Sequence, residues 1–317
     1  MTTSTAARIE EQFRQGMAML ADPAAAAGWR AALELVDLSA AAGMPDAIER
    51  RALFECMGVG RPRDWNKALD SLAEAAAAGS QDAAQQLVLL AEDRFDAEPP
   101  PRNWTELRAR ISLDDRLQAP RGLDLSSDPL IRTIAGFATA AECKWLIAAA
   151  APHLERAIIY STESGELGQD AGRTNRFALF DFAHLDLVIE MIRARIASAI
   201  GAPLPCLEVS QVLSYAAGEE FAPHCDFLDA RSMADEIARR GQRAVTVLVY
   251  LNEDFEGGET SFPELGLEHR GRTGDALVFS NVDPGGMPDP RTRHAGRPPT
   301  RGEKWLFSQW VRDRMPA

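Results

Sequence analysis

The 317-residue sequence predicts an α+β protein: an α-helical repeat domain, then a double-stranded β-helix (jelly-roll) core with supporting helices. Three observations predict it. Residues 1–95 are Ala-rich and repeat at a fixed interval. From residue 207 onward the chain is a series of β-branched and aromatic runs separated by Gly, Pro and Asp. Among those runs lies a His-x-Asp pair, His224 and Asp226.

The repeat comes first. Trp29 recurs as Trp65, Leu33 as Leu69, Gly43 as Gly79, Asp46 as Asp82, Ala47 as Ala83 and Leu53 as Leu89, each pair 36 residues apart. A period of this size marks stacked helical hairpins, whose neighbours bury each other's apolar faces. Ala40–Ala42 and Ala75–Ala78 suit close helix packing, and the glycines that follow suit helix ends. The pattern Ala-Leu-x-x-Leu, Ala-Ala-x-Gly, Asp-Ala resembles Sel1-like repeats, relatives of the tetratricopeptide class, and that resemblance implies protein docking. A helical cap that only stabilises its neighbour fits the same residues.

Glu98-Pro99-Pro100-Pro101 breaks the helical pattern, so residues 96–125 are expected to be a linker and residues 126–317 the second domain. Thr139 and Glu142 have capping-box spacing, which predicts a helix over 139–151 stopped by Pro152. Gly172–Asn175 reads as loop, and Leu185–Ile200 as an amphipathic helix. Strands are expected at 207–215, 244–251, 276–279 and 304–311, with one helical interruption near 233–240. A strand series of this kind points to two packed antiparallel sheets rather than a parallel one.

Composition narrows the function. The formal net charge of -13 argues against a nucleic-acid backbone or an anionic membrane as the main partner. Cys56, Cys143, Cys206 and Cys225 are scattered and form no CxxC pair, as expected of free thiols in a reducing compartment. No signal-peptide pattern opens the chain, and no apolar run approaches the roughly 20 residues of a membrane span. A cytoplasmic protein is expected.

In an extended strand residues i and i+2 share a face, so the His224 imidazole and Asp226 carboxylate can converge on one point. His294 supplies a third ligand type. Two histidines and one carboxylate, with coordination positions left open, form the facial triad of non-haem Fe(II) oxygenases. Zinc hydrolases use the same residue types, so the triad alone does not choose the metal. Lys304 separates the two. Strand alternation puts it on one face with Leu306, Ser308 and Trp310, and an inward ammonium is costly unless an anion meets it. The carboxylate of a cosubstrate such as 2-oxoglutarate is that anion, with neutral hydrogen bonds expected from Tyr215 and Thr246.

With these residues in order, Tyr215-x-x-Gly218, His224-x-Asp226, Arg243-x-x-Thr246-x-Leu248-x-Tyr250-Leu251, Gly257-Gly258-Glu259-Thr260, His294 and Gly302-x-Lys304-Trp305, the chain resembles the prolyl 4-hydroxylase family of 2-oxoglutarate oxygenases over about residues 130–312. The resemblance implies iron on His224, Asp226 and His294, the far carboxylate of 2-oxoglutarate on Lys304 with Tyr215 and Thr246, and O2 as co-reactant. It further implies Arg243, Trp310 and Arg312 on the substrate side, and ascorbate as a possible reductant. Arg243 reads equally as the partner of an acidic core neighbour, and Trp310 as core. Because Asp226 is a carboxylate and not the small residue of related halogenases, hydroxylation is expected. Phe221 stands where peptide-acting members often carry a tyrosine, and Arg173-Thr174-Asn175 replaces the family's Arg-Thr-Ser. Three functions follow: a hydroxylase of a peptide or protein, proline foremost, recruited by the repeats; a hydroxylase of a free amino acid or other small molecule; and a non-catalytic repeat scaffold. Cys225, His153, His184 and His269 read as packing or surface residues.

Overall fold

The computed structural model describes residues 2–21, 28–100, 102–156, 159–160, 167–168 and 172–315. They fall into two compact units, Met1–Leu117 with Asp181–Ile192, and Gln118–Phe180 with Arg193–Ala317.

The first unit is helical: α1 Thr2–Ala21, α2 Trp29–Ala41, α3 Pro45–Met57, α4 Trp65–Ala78, α5 Gln81–Glu92, α6 Trp104–Ala109 and α7 Leu113–Leu117. The 36-residue period is the spacing of two hairpins, since α4 starts 36 residues after α2 and α5 the same distance after α3. Both hairpin turns use a glycine at positive φ, Gly43 at 84° and Gly79 at 109°, which costs a residue without Cβ nothing. Asp64 and Ser80 cap α4 and α5 by accepting from the backbone N–H of Lys67 and Ala83. Ala32, Ala47, Ala52, Ala68, Ala75 and Ala83 are fully buried, which lets α3 lie close against α4 and α1 against α2.

Two expectations change here. Residues 96–125 contain α6 and α7, and the division between the units falls after Leu117. The physical reason is that Leu107 and Ile111 are buried, with α6 packed on α4 and α5. The helical unit also holds a segment from far along the chain. Phe182 packs between Trp29 (ring centroids 5.1 Å) and Phe54 (5.7 Å, stacked). The Arg50 guanidinium donates to the carbonyls of Phe182, Ala183 and Leu185 at 3.3, 3.2 and 3.0 Å. Gln86 accepts from the backbone N–H of Leu187 at 3.0 Å while donating to Glu49 at 2.7 Å.

The second unit begins with β1 Leu123–Ser127, β2 Leu130–Ile134 and α8 Ala140–Ala150, whose Thr139–Glu142 capping box is formed. Pro152 does end α8, through a 3-10 turn at Ala151–His153. Next come β3 Glu155–Arg156, the pair β4 Ile159–Tyr160 and β5 Leu167–Gly168, and β6 Arg176–Phe180. α9 Leu187–Ile200 passes from the helical unit into this one at residue 193. There follow β7 Ser210–Tyr215, β8 Phe221–His224, α10 Ala234–Arg240, β9 Arg243–Tyr250, β10 Glu256–Gly257, β11 Thr260–Phe262 and β12 Leu267–His269. The last elements are β13 Ala276–Ser280, β14 His294–Gly296, β15 Pro299–Arg301 and β16 Lys304–Arg312. The strand expected from residue 207 starts at Ser210 because Pro203 and Pro205 favour the 3-10 turn Leu204–Cys206 that precedes it.

All pairings are antiparallel. The large sheet runs β1-β2-β13-β9-β16-β7-β6-β3, the smaller one β12-β11-β14-β8. Between them lies a core drawn from both, with Leu213 and Tyr215 of β7, Leu248 and Tyr250 of β9, Leu277 and Phe279 of β13, Leu306 of β16 and Phe262 of β11. This is the jelly-roll arrangement of two sheets closed over one interior. Residues two apart on β7, β9 and β16 therefore point into the same cavity.

Arg50→Ala leaves three carbonyls without their donor. It is expected to destabilise the helical unit by about 2 kcal/mol. Hydrogen exchange followed by mass spectrometry reads it directly: faster exchange concentrated in residues 182–189 is expected, and an unchanged pattern there would show that Arg50 does not hold the segment.

Candidate metal centre

The centre is built where the two histidine strands meet. His224 closes β8 and His294 opens β14, and the two are paired across the smaller sheet. Asp226 follows β8 by two residues and is buried. Its Oδ1 lies 3.5 Å from His224 Nε2, its Oδ2 3.5 Å from His294 Nε2, and one ligand atom from each residue falls within 4.8 Å of the others. The sequence placed His224 and Asp226 on one strand face. The strand ends at His224, and the chain beyond it carries Asp226 to the same point.

Hydrogen bonds decide which imidazole nitrogen faces inward. His224 Nδ1 donates to the Ala222 carbonyl at 2.9 Å, and His294 Nδ1 to the Thr292 carbonyl at 3.0 Å. With Nδ1 so occupied, each ring turns Nε2 to the centre, where its neutral form presents a lone pair. Burial drives His294 down to about 4, although Asp226 opposes this, so the ring is neutral near pH 7. Phe279 and Phe262 enclose it at 4.6 and 5.8 Å. Burial would raise the Asp226 carboxyl, but His294, His224 and the Thr246 hydroxyl together hold it well below the usual carboxylate range. Two inward-facing imidazole nitrogens, that of His294 unprotonated, and an anion thus face one another. That arrangement fits a divalent cation and little else.

A cavity of about 360 Å³, counted out to its open mouth, leads to the triad. Tyr215, Leu306, Ser308 and Trp310 line it from the large sheet and Phe221 and Gly296 from the smaller one, with Arg173 beside them. The alternation expected for β16 is therefore present, with Lys304 at its inner end. Lys304 is 0% exposed, pairs in register with Tyr215, and donates to the Gly258 carbonyl at 2.6 Å. Its Nζ lies 5.2 Å from the Tyr215 ring centroid and 5.7 Å from that of Tyr250. Among the described residues no carboxylate lies within ion-pair distance of it. Burial pushes the ammonium down to about 7, with Glu259 acting in the opposite direction. A buried cation with spare donors is the structural demand for an anionic group.

Thr246 departs from the sequence expectation. It lies opposite Trp310 in the β9–β16 ladder, six residues along β16 from Lys304, or about 20 Å at the usual strand rise. Its hydroxyl donates to Asp226 Oδ2 at 2.6 Å. The threonine near Lys304 is Thr260, two residues after Gly258, with its Oγ1 2.8 Å from the Tyr250 hydroxyl. The Gly-Gly-Glu-Thr stretch was the available signal for it. Of the three residues expected beside substrate, Trp310 lines the cavity. Arg243 and Arg312 lie behind it: the Arg243 guanidinium covers the Trp310 ring at 3.5 Å and is held by both oxygens of Glu208 at 2.8 and 3.0 Å. Arg312 meets Glu208 at 2.5 Å and Glu236 at 3.0 Å and donates to the Gly241 carbonyl. A buried acidic partner claims both guanidiniums, as buried charges require. Phe221 lies flat on His224, with ring centroids 3.5 Å apart and planes at 12°, and the Arg173 guanidinium is 4.5 Å above the other face of Phe221.

Sequence comparison places the chain among known proteins. The profile of the 2OG-Fe(II) oxygenase superfamily matches residues 210–312. Probable prolyl 4-hydroxylase 3 of Arabidopsis thaliana is 33% identical over 208 residues, which span 59% of this chain and 70% of that protein. Prolyl 4-hydroxylase 1 of Arabidopsis thaliana is 31% identical over 209 residues, 61% of this chain and 72% of that protein. Among solved structures, the 2OG complex of the viral collagen prolyl hydroxylase from Paramecium Bursaria Chlorella virus-1 matches with a TM-score of 0.44 and 27% identity, covering 57% of this chain and 94% of that one.

The depressed Lys304 ammonium has a consequence with a definite sign. The folded protein without ligand holds this proton less tightly than the unfolded chain, so its stability from this group rises with pH between about 7 and the ordinary lysine value. A bound dicarboxylate reverses the preference. Affinity for 2-oxoglutarate, measured with Mn(II) in place of iron, is expected to be flat below pH 7 and to fall by up to about tenfold per pH unit above it, with one proton taken up on binding. Calorimetry in buffers of different ionisation enthalpy measures that uptake. No uptake at pH 8.5 would mean that Lys304 is already charged before the anion arrives.

Proposed function

Because the chain belongs to the prolyl 4-hydroxylase family of 2OG-Fe(II) oxygenases, we propose that it hydroxylates a prolyl residue of a peptide or protein. The observation that carries this reading is a cation-seeking and an anion-seeking group joined by one cavity wall: the His224–Asp226–His294 triad on the cavity, and the Lys304 ammonium against Tyr215 of its lining, with no carboxylate in ion-pair reach among the described residues. Fe(II) with 2-oxoglutarate and O2 supplies the oxidising power that turns a C–H bond into C–OH, as 2-oxoglutarate is decarboxylated to succinate and CO2.

The chain's own residues do the rest. His224, His294 and Asp226 hold the metal through two neutral nitrogens and one oxygen, which leaves coordination positions open. Lys304, with Tyr215 and Thr260 at its side, receives the far carboxylate of the cosubstrate and fixes its direction toward the metal. Leu213, Leu248 and Leu306 keep water from the cavity walls. Trp310, stiffened by Arg243 and Glu208 behind it, offers an indole face to the substrate, the kind of surface on which a pyrrolidine ring packs. Ascorbate serves as an external reductant in this reading. The four free cysteines and an oxidisable metal both suit a reducing, cytoplasmic setting.

One observation favours a second substrate class. Phe221 is packed against His224 and Arg173 and has no hydroxyl to offer, while Arg173 reaches the cavity with Asn175, at 3.2 Å, as its polar side-chain partner among the described residues. A guanidinium so placed suits a carboxylate, whether that of a free amino acid or of an acidic residue beside the target. The helical unit is assigned first to bracing residues 182–187. Recruitment of a protein substrate by its Sel1-like hairpins falls to the surface left over.

Purified protein loaded with Fe(II) and 2-oxoglutarate without oxygen, then exposed to it, is expected to release succinate. Adding proline-containing peptides should raise the rate, and His224→Ala should abolish it by at least about a thousandfold. A hydroxylated peptide with a mass gain of one oxygen identifies the substrate class. Stimulation by free amino acids but by no peptide would move the assignment to the second class, and no cosubstrate binding by a folded, metal-loaded sample would overturn both.

A further inference from the structure

The carboxylate of the triad is held from behind by a chain of two side chains that none of the motifs singled out as a unit. Thr246 is 1% exposed and Asn281 is 0% exposed. Thr246 Oγ1 donates to Asp226 Oδ2 at 2.6 Å, and Asn281 Nδ2 donates to Thr246 Oγ1 at 2.9 Å. The direction of the chain is forced. A hydroxyl has one proton, and that proton is already committed to an anion, so the group behind Thr246 must be a donor. Turning the Asn281 amide over would set its oxygen against an oxygen with no hydrogen left to share. In the orientation adopted, Asn281 Oδ1 is buried with no hydrogen-bond partner among the described residues.

Asn281 is itself rigidly placed. It directly follows β13, where its backbone N–H donates to the Ala244 carbonyl at 2.7 Å and its carbonyl accepts from the Asp289 N–H at 3.0 Å. β13 pairs with β9, so Asn281 and Thr246 are fixed to each other by the sheet ladder. Asp226, by contrast, follows the end of β8 and has no strand of its own to aim it.

We propose that Asn281 and Thr246 form a one-directional hydrogen-bond relay that holds Asp226 as a single-oxygen metal ligand, with Asn281 its outer positioning residue. The hydroxyl occupies Oδ2 and leaves Oδ1 as the oxygen offered to the metal, so that the carboxylate does not spread over two coordination positions. This inference rests on the metal reading of the triad. Its expected signature is in metal binding, ahead of any turnover, since partners of this kind typically change affinity by about 10–100-fold.

The test is Mn(II) affinity by calorimetry on the full chain, with the visible spectrum of the Co(II)-loaded protein as a second readout. Asn281→Leu keeps the approximate volume and removes the donor; Thr246→Val removes the hydroxyl; Thr246→Ser restores it. The expected result is about 10–100-fold weaker Mn(II) binding and an altered Co(II) spectrum for the first two, near wild-type behaviour for Thr246→Ser, and a double variant no weaker than Thr246→Val alone. Apo-protein melting of each variant is followed alongside to show that it is folded. If Asn281→Leu does not fold, Thr246→Val against Thr246→Ser still decides. Wild-type binding with variants within twofold of it, or losses that add in the double variant, would overturn the relay alone. A folded wild type with the same weak Mn(II) affinity as His224→Ala would overturn the metal reading and the relay with it.

Discussion

An ammonium group sealed inside a β core with no carboxylate against it is the constraint on which this structure turns. Lys304 enters the interior only because several weak compensations meet it there. The Gly258 carbonyl accepts one hydrogen bond, and two tyrosine rings lie under the charge at 5.2 and 5.7 Å. Gly258 can do this because its φ of 70° turns the chain so that its carbonyl points at Nζ. A Cβ there would press on Phe255 and on the lysine stem. The remaining electrostatic deficit is left to a ligand. The second sheet, which brings Gly258 and Thr260 over the inner end of β16, is in this sense a lid on one charge.

The same logic governs the other end of the cavity, with signs reversed. Asp226 is an anion faced by two nitrogen lone pairs, and it is tolerated through the Thr246 hydroxyl and the approach of a cation. Each end is incomplete in a complementary way, so the protein without ligands carries two separate electrostatic costs. Cosubstrate and metal each relieve one of them. Ligand binding therefore raises folding stability by mass action, with the relief of these costs already contained in the affinities.

What could be read from the sequence was whatever depends on local period. The 36-residue spacing became two hairpins, the capping box at Thr139 formed, and strand alternation put Leu306, Ser308 and Trp310 on the cavity wall with Lys304 at the inner end. What depends on pairing between distant strands was not legible. Thr246 and Thr260 are both threonines on inward-facing strands; the β9–β16 register shows that the first is remote from Lys304, and the contacts of Gly258 and Tyr250 bring the second close to it. The resemblance put Arg243 and Arg312 on the substrate side; an acidic neighbour was the equal reading for Arg243, but that neighbour, Glu208, is 35 residues from it and 104 from Arg312 in sequence and could not be named. The role of Asn281 is invisible without the hydroxyl it serves. The linker expected around the proline run failed for a related reason, since Leu107 and Ile111 are buried only once α6 lies on α4 and α5.

The helical unit closes on Phe182 and Leu187, residues that lie between two strands of the β unit in the chain. On a ribosome its first 117 residues emerge early, with Trp29 and Phe54 lacking the ring that packs against them and Arg50 lacking its three carbonyls. They must wait through some 65 further residues, a stretch that includes β1, β2 and β6, before the missing piece arrives. At ordinary synthesis rates that is a delay of several seconds, long against the microseconds to milliseconds in which helical hairpins form. The amino-terminal hairpins are thus held half-finished in the nascent chain, and their completion is timed by translation of the β unit rather than by their own folding speed.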